Sequence, residues 1–338
     1  MPIYIAAALF TFADLYGTMC FMSGTREAEL KPFKPGDETV LVSMWNACQT
    51  HDPISVETFK RATMGDPNFS PEGCLLARAG SEPAGFVLAV SPGVPHLFAP
   101  PKGMGRIAGL GVMPDHRRQG LGMRLLERGI EFLRVRGCGR VITAAHEYYT
   151  AGVDSDAYSG GIAFLKVNGF SQYGEAVAMG RELYDLSPPP AFEGVKAALE
   201  REGIEVKYAQ QGDLEAVKGF FTGEFAAWRE FLDRKLAAGD PLDDFVIVRE
   251  GEKVLGYCQR LEADHVGPFG VSETMRNKGA GSVMLYMLLE RMRQKGYRFA
   301  WFGETGRAKP FYERAGFRVT RRYALMSKTI DMGEAENG

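Results

Sequence analysis

Two short stretches of the sequence set arginine and glycine in the same spacing: Arg117-Arg118-Gln119-Gly120-Leu121-Gly122 and Arg276-Asn277-Lys278-Gly279-Ala280-Gly281, the second followed by Ser282. Each comes after an apolar run ending in Gly-Val (Leu110-Gly111-Val112; Phe269-Gly270-Val271) and opens a segment of helical periodicity. A strand that passes through such a loop into a helix has a physical use. Glycines remove Cβ atoms so that successive N–H groups can close around a phosphate, and the helix N-terminus adds unpaired donors and partial positive charge. Arg117 and Arg276 place a cation at the loop mouth, and Arg118 and Lys278 add to it. A pyrophosphate suits this pattern. A Walker loop is excluded because no Gly-Lys-Ser/Thr follows. A Rossmann fingerprint needs a third glycine and a βαβ context. One six-residue match would be as well explained by an unliganded turn; two in matching surroundings are not.

The elements that position these loops repeat as well. A strand from Ala28 and a turn Lys34-Pro35-Gly36-Asp37-Glu38 lead into a helix that Asp37 can cap; Ile204 and Gln211-Gly212-Asp213-Leu214 do the same later. Cys74–Ala79 with Ala84–Val90, and Phe245–Arg249 with Val254–Leu261, read as antiparallel strand pairs. After each loop the helix carries an apolar stripe, Leu125, Leu126, Gly129, Ile130 and Leu133 in one, Met284, Leu285, Leu288, Leu289 and Met292 in the other. Strands at Arg140–Ala145 and Arg298–Phe302, a second helix, and a Gly-Phe (Gly169-Phe170; Gly316-Phe317) follow in both. The expected organisation is an extension over 1–25, domains over 26–186 and 191–331, a stiff Ser187-Pro188-Pro189-Pro190 linker over 187–190, and a tail over 332–338.

This order of elements resembles the GNAT (Gcn5-related N-acetyltransferase) family over nearly the whole chain. The likeness is carried by Val112-Met113-Pro114-Asp115-His116 running into the first loop, and by Ala308-Lys309-Pro310-Phe311-Tyr312-Glu313-Arg314-Ala315-Gly316-Phe317. It implies an α/β chain of α+β type: two tandem GNAT domains, each a mixed, mostly antiparallel sheet flanked by helices, similar in architecture to mycothiol synthase-like two-domain acetyltransferases. It implies acetyl-CoA or a related acyl-CoA as cofactor, its pyrophosphate on the glycine loop. Its pantetheine would pair with the main chain of Leu110, Gly111 and Val112, or of Phe269, Gly270 and Val271, where that strand splays from the next.

Acyl transfer to an amine needs a base for the ammonium proton, donors for the oxyanion and an acid for the departing thiolate. In the family pattern the tyrosine after the first phenylalanine often serves as acid. The second copy has Phe311-Tyr312 and the first has Phe164-Leu165, so catalysis is expected in the second. The first loop lies nearer the family consensus, which leaves it open as a structural CoA site or as the working site with another acid. Thr305 stands where asparagine is usual. Glu262, Asp264, His265 and Glu304 are candidates for the base, His265 because imidazole titrates near neutrality; a solvated loop position is the alternative for each. His116 and His146-Glu147 are the first copy's counterparts. Ser91–Gly105 and Glu147–Gly160, the latter with Tyr148, Tyr149 and Tyr158, are expected to face substrate. The expected reaction is acetyl transfer to a primary amine of a small molecule or peptide. A non-catalytic acyl-CoA sensor, or an enzyme with a different acyl donor, are the alternatives.

The rest of the composition narrows the field. The 338 residues suit two cores, and 45% apolar with 24% charged residues is ordinary for folded chains. A formal charge of -2 gives no field to attract nucleic acid. The five cysteines are scattered singly without metal-ligand spacing, which fits reduced thiols, a cytoplasmic setting and no bound metal. Met1–Met22 is mostly apolar, but it has no Lys or Arg and carries Asp14, which argues against an anchor. No membrane is expected as a partner, and the quaternary state is expected to be monomer or homodimer.

Overall fold

The computed structural model describes residues 27–94, 99–143, 150–237, 239, 241–261, 263–303 and 306–332. The extension expected over 1–25 lies outside them.

The first half runs β1 (Glu29–Pro32), α1 (Glu38–Cys48), α2 (Val56–Phe59), β2 (Cys74–Ala79), β3 (Glu82–Val90), β4 (Met104–Val112), α3 (Leu121–Arg134), β5 (Arg140–Ile142), β6 (Val153–Asp154), α4 (Ser159–Val167) and β7 (Ser171–Glu182). A linker helix α5 (Phe192–Arg201) leads to the second half. That half comprises β8 (Ile204–Tyr208), α6 (Leu214–Phe220), α7 (Arg229–Ala237), β9 (Phe245–Glu250), β10 (Lys253–Arg260), β11 (Val266–Val271), α8 (Ala280–Gln294), β12 (Phe299–Phe302), α9 (Lys309–Arg314) and β13 (Arg318–Thr329).

The fold has the two repeated halves that the sequence implied, mixed and mostly antiparallel, with helices on both faces. The stripes of α3 and α8 are buried on their sheets, Leu125, Leu126 and Leu133 in one, Met284, Leu285, Leu288 and Leu289 in the other. Each such side chain contributes roughly 2 kcal/mol of burial. Both helices end before a left-handed glycine, Gly137 and Gly296, as the pattern required. Asp37 departs from expectation. It stands at the head of α1 without capping it; its carboxylate accepts from the N–H of Lys34 at 3.0 Å and pairs with Arg78 at 3.4 Å. The long-range guanidinium outcompetes a local cap that water can replace. The strand read at Arg140–Ala145 is described as far as Ile142, and residues 144–149 lie outside the described set.

Each half gives its last strand to the other. Among the described residues one sheet is ordered β1-β2-β3-β4-β5-β13-β7-β12, with β6 also on β13, and a second is ordered β11-β10-β9-β8. So β13, from the end of the chain, lies against β5 of the first half (Ser327 opposite Ile142), while β7 of the first half lies against β12 of the second (Gly180 opposite Trp301). The cores follow the strands. Val177, Met179 and Leu183 are buried with α8 and α9, and Ala324, Met326 and Ile330 are buried with α3.

Candidate active site

The two arginine-glycine loops have one backbone shape. Arg118 and Gly120 in the first, Asn277 and Gly279 in the second, alternate into the left-handed region, with φ of 60° and 80°, and 65° and 84°. This alternation turns successive N–H groups to one side, the geometry of an anion-binding nest. Leu121 and Ala280 begin α3 and α8 and bury their side chains, so only their N–H groups are offered to a ligand. Gly122 and Gly281 lie under the rings of Phe164 and Phe311. Arg117 Nε donates to the Val112 carbonyl at 2.9 Å and Gln119 Nε2 to that of Asp115 at 3.0 Å, which fixes the first corner; Arg276 lies 3.5 Å from Glu273 in the second. His116 ends the short turn Pro114–His116 just before the first loop.

The loops differ in their surroundings. A Cβ on Gly120 would meet nothing within 4 Å, whereas one on Gly279 would lie 2.6 Å from Val195 of α5. Lys278 pairs with Glu202, just past α5, at 3.0 Å. The linker helix therefore borders the second nest, and Ser282 stays exposed at its edge.

Beside each nest a strand parts from its parallel neighbour. Among the described residues β4 pairs with β5 through Met104–Arg106 and stays on β3 as far as Val112. Among the described residues His265, just before β11, bridges Trp301 of β12, and β11 stays on β10 as far as Val271. The N–H groups of Met113 and Ser272 donate across to Ala84 and Leu255. By alternation, Leu110 and Val112, and Phe269 and Val271, turn their main-chain groups into the gap. Gly111 and Gly270 direct theirs at β3 and β10. They are glycines because side chains press on them, Phe86 and Cys48 on one, Trp228 and Phe225 on the other.

At the apex of the second gap two groups lie on opposite faces of the sheet. Phe302 faces α9 and meets the Tyr312 ring at 4.2 Å between centroids. Phe269, Phe311 and Phe317 complete the enclosure. Burial raises the Tyr312 phenol above its ordinary range, with the neighbouring Cys258 adding to the effect, so it stays protonated. Trp301, next along β12, faces the other way and stacks on His265 at 3.9 Å and 6°. Asp264 accepts from the indole N–H at 2.8 Å and so holds Trp301 in place. Trp301 carried no sequence motif; its signal was the parallel pairing of the strands around the loop, which brings it beside a histidine. Glu262, Glu304 and Thr305, like His146, Glu147, Tyr148 and Tyr149, lie outside the described residues.

The first half has other groups at the same places. Arg106, buried at 4% exposure, holds the apex position of His265, and Leu165 that of Tyr312. Its insertion instead builds an ionic cluster that no motif announced. Arg321 of β13 donates to both oxygens of Asp52, at 2.5 and 2.9 Å, and through Nε to Asp154 at 2.6 Å; the Tyr158 hydroxyl donates to Asp52 at 2.7 Å. Burial works to raise Asp154, but donation from the Ala157 N–H, Arg321 and the Asp156 N–H outweighs it and lowers the carboxyl.

Nest, gap and helix stripe occur together twice, and sequence comparison accounts for both. The model of the Acetyltransferase (GNAT) family matches residues 41–153 and 213–317, more than half of the chain. The chain belongs to the GNAT family. A comparison with curated proteins finds no sequence match. Solved GNAT structures share the tandem arrangement. A GCN5-related glucosamine N-acetyltransferase region of a fungal multi-domain GH3 beta-N-acetylglucosaminidase superposes with a TM-score of 0.74 at 16% identity, over 90% of this chain and 38% of that one. This chain thus spans well under half the length of the fungal protein. A GCN5-related N-acetyltransferase from Sphaerobacter thermophilus gives 0.64 at 20% identity over 89% and 95%. A tandem GNAT protein from the clavulanic acid biosynthesis pathway gives 0.62 at 14% over 92% and 100%. At such identities the likeness is one of fold. The GNAT fold generally binds acetyl-CoA, and the nests and free strand edges fit its pyrophosphate and amide-bearing arm. No helix among the described residues is long and apolar enough to cross a membrane.

Proposed function

We propose that the protein transfers an acetyl group from acetyl-CoA to a primary amine of a small molecule or peptide, and that the second half does the chemistry. One contrast carries this reading: His265 and Tyr312 flank the apex of the second gap, where the first half has Arg106 and Leu165. An arginine is always charged and cannot accept a proton, and a leucine cannot give one.

In the second half, the nest from Arg276 to Ser282 would hold the pyrophosphate, and the main chain of Phe269 and Val271 the pantetheine. Bound acetyl-CoA supplies the thioester. His265 takes the ammonium proton at a ring nitrogen, its plane held by Trp301 and, through Trp301, by Asp264. Tyr312 keeps its proton at the phenol oxygen until a thiolate needs it. Glu262 and Glu304 adjoin this apex in sequence and remain candidates to relay the ammonium proton. On the α6 side an open groove of about 690 Å³ runs past Phe220, Phe225, Leu255 and Ser272, with Glu250 and Glu273 also lining it. The first half, with an open nest and, among the described residues, Arg106 and Leu165 at its apex, reads as a second cofactor-binding unit without turnover; its His146 and Glu147 lie outside those residues. The division at 186 and 191, a cytoplasmic setting and a monomeric or dimeric state belong to the same proposal.

The test is thiol release from acetyl-CoA with glucosamine, spermidine and a tripeptide with a free α-amine, after mass spectrometry of the purified protein for co-purified CoA species. Acetylation of at least one amine is expected. Silence across the panel together with the absence of any bound CoA species would overturn the proposal.

A further inference from the structure

We infer that Arg181, a first-half residue, is a positioning residue for Tyr312 in the second half. The inference rests on the reading of Tyr312 as the acid and extends it to a group 131 positions away in the chain.

Tyr312 sits on α9, a helix of only six residues, too short to hold its own geometry without tertiary support. The turn that ends it is tight. Phe317 N–H returns to the Tyr312 carbonyl at 3.0 Å and Gly316 N–H to that of Glu313 at 3.0 Å, with Gly316 left-handed at φ 83°. The carbonyl of Ala315 is met from across the exchanged sheet: Arg181 Nη1 donates to it at 2.5 Å. The guanidinium lies over Gly316, 3.1 Å from where a Cβ would stand, and its side chain is only 14% exposed. Nε donates to the Glu182 carbonyl at 3.0 Å and Nη2 reaches Asp185 at 3.3 Å, so the head is held at three points. A cation at a helix C-terminus also suits the helix dipole. Next along the chain, Gly180 pairs with Trp301 and with Arg318, so one short stretch of β7 meets the base side of the site, the strand after the acid and the end of the acid's helix.

The chain contains its own comparison. Arg181 lies twelve residues after Gly169, and Lys328 lies twelve after Gly316. Lys328 Nζ donates to the carbonyl of Asn168 at 2.8 Å, the residue before Gly169 at the end of α4. Each half thus ends the other's final helix with a cation at the same repeat position, once by guanidinium and once by ammonium. Only Arg181 serves a helix that carries a tyrosine at the acid position.

The experiment measures steady-state thiol release from acetyl-CoA, with the panel amine turned over fastest, for Arg181→Gln, Arg181→Lys, Lys328→Gln and Tyr312→Phe, and for Arg181→Gln combined with Tyr312→Phe. Circular dichroism and thermal melts accompany each. Displacement of a positioned group by about 1 Å costs on the order of 100-fold. Arg181→Gln is therefore expected to lower kcat at least tenfold with little change in KM for acetyl-CoA. Arg181→Lys should recover most of it, because lysine performs this role in the first half, and Lys328→Gln should leave kcat unchanged. In the Tyr312→Phe background Arg181→Gln should cost nothing further. If Tyr312→Phe is slow while folded Arg181→Gln keeps the wild-type kcat, or if the two losses multiply, the inference fails and the assignment of Tyr312 stands. If Arg181→Gln does not fold, Arg181→Met, which keeps the stem without the cation, takes its place: a kcat at least tenfold down in a variant that melts like the wild type supports positioning, and a wild-type kcat in that variant overturns it. If Tyr312→Phe itself turns over normally, the functional proposal falls and the inference with it.

Discussion

Ala176 and Tyr323 face each other across the central strand pair, and each is the seventh residue after its glycine, Gly169 and Gly316. Two strands can set equivalent positions opposite one another only at a two-fold axis, so the halves are related by an approximate rotation through the middle of β7 and β13. The consequence is mutual dependence. Without the second half, β5 and β7 would both expose an unpaired edge, and Leu125 and Leu133 would lose Met326 and Ile330 from their core. A fragment of residues 27–186 is therefore expected to aggregate or to lack cooperative melting, and co-expression with 187–332 should restore a one-to-one complex. A monomeric 27–186 fragment that melts cooperatively near the full-length temperature would contradict the exchange.

This exchange also marks the boundary of what sequence could tell. The nests were legible because they are local: Gly120 and Gly279, and to a lesser degree Asn277, favour the left-handed angles the loop needs, and Arg118 is carried into that region with them. Helix stripes and hairpins were legible for the same reason. The partners of β7 and β13 were not, since both are twelve-residue strands of like pattern and nothing within either says which half's edge it will meet. Arg181, Asp52, Asp154 and Arg321 escaped notice with them, because their roles exist only once the strands have crossed. Asp37 erred the other way, a local cap signal overridden by Arg78.

Which nest takes acetyl-CoA can be tested without disturbing glycine. Gly279→Val would force Val195 and α5 away and so confound binding with folding. Met123 and Ser282 occupy the same exposed place in the first turn of α3 and α8. A glutamate there complements the helix dipole by about 0.3–1 kcal/mol while opposing a bound pyrophosphate. Calorimetry should show Ser282→Glu weakening acetyl-CoA by tenfold or more and stopping turnover, the repulsion being on the order of several kcal/mol. Met123→Glu should remove a second equivalent of cofactor and spare turnover. The opposite pairing of effects would assign the chemistry to the first half.

The Asp52–Arg321–Asp154 cluster should make stability depend on acid in a defined direction. Asp154 is held below its ordinary value in the folded state, so its contribution is complete above about pH 4 and is lost as pH falls through the lowered folded pKa. Arg321→Met leaves both carboxylates without their cation and should cost about 3 kcal/mol at pH 7, as broken buried pairs do. That deficit should shrink as pH falls below about 4, as Asp154 takes up its proton. Thermal melts across this range check it; a deficit constant with pH would mean that Arg321 acts through packing alone.

Tyr312→Phe tests the acid directly. Phenylalanine keeps the ring against Phe302 and Phe317, so the melting temperature should move little and acetyl-CoA affinity should be nearly unchanged. A positioned acid contributes about 10²- to 10⁴-fold, and kcat should fall within that range. Because burial raises the phenol, the wild type should show no loss of kcat from this group on the alkaline side until above about pH 10, the ordinary tyrosine value. Arg117→Ala provides the contrast: it frees the Val112 carbonyl and weakens the first nest, yet lies outside the second gap and should leave turnover intact. Should Tyr312→Phe keep the wild-type rate while folded Arg117→Ala is inactive, Leu165 would be no obstacle to catalysis and the working site would be the first half.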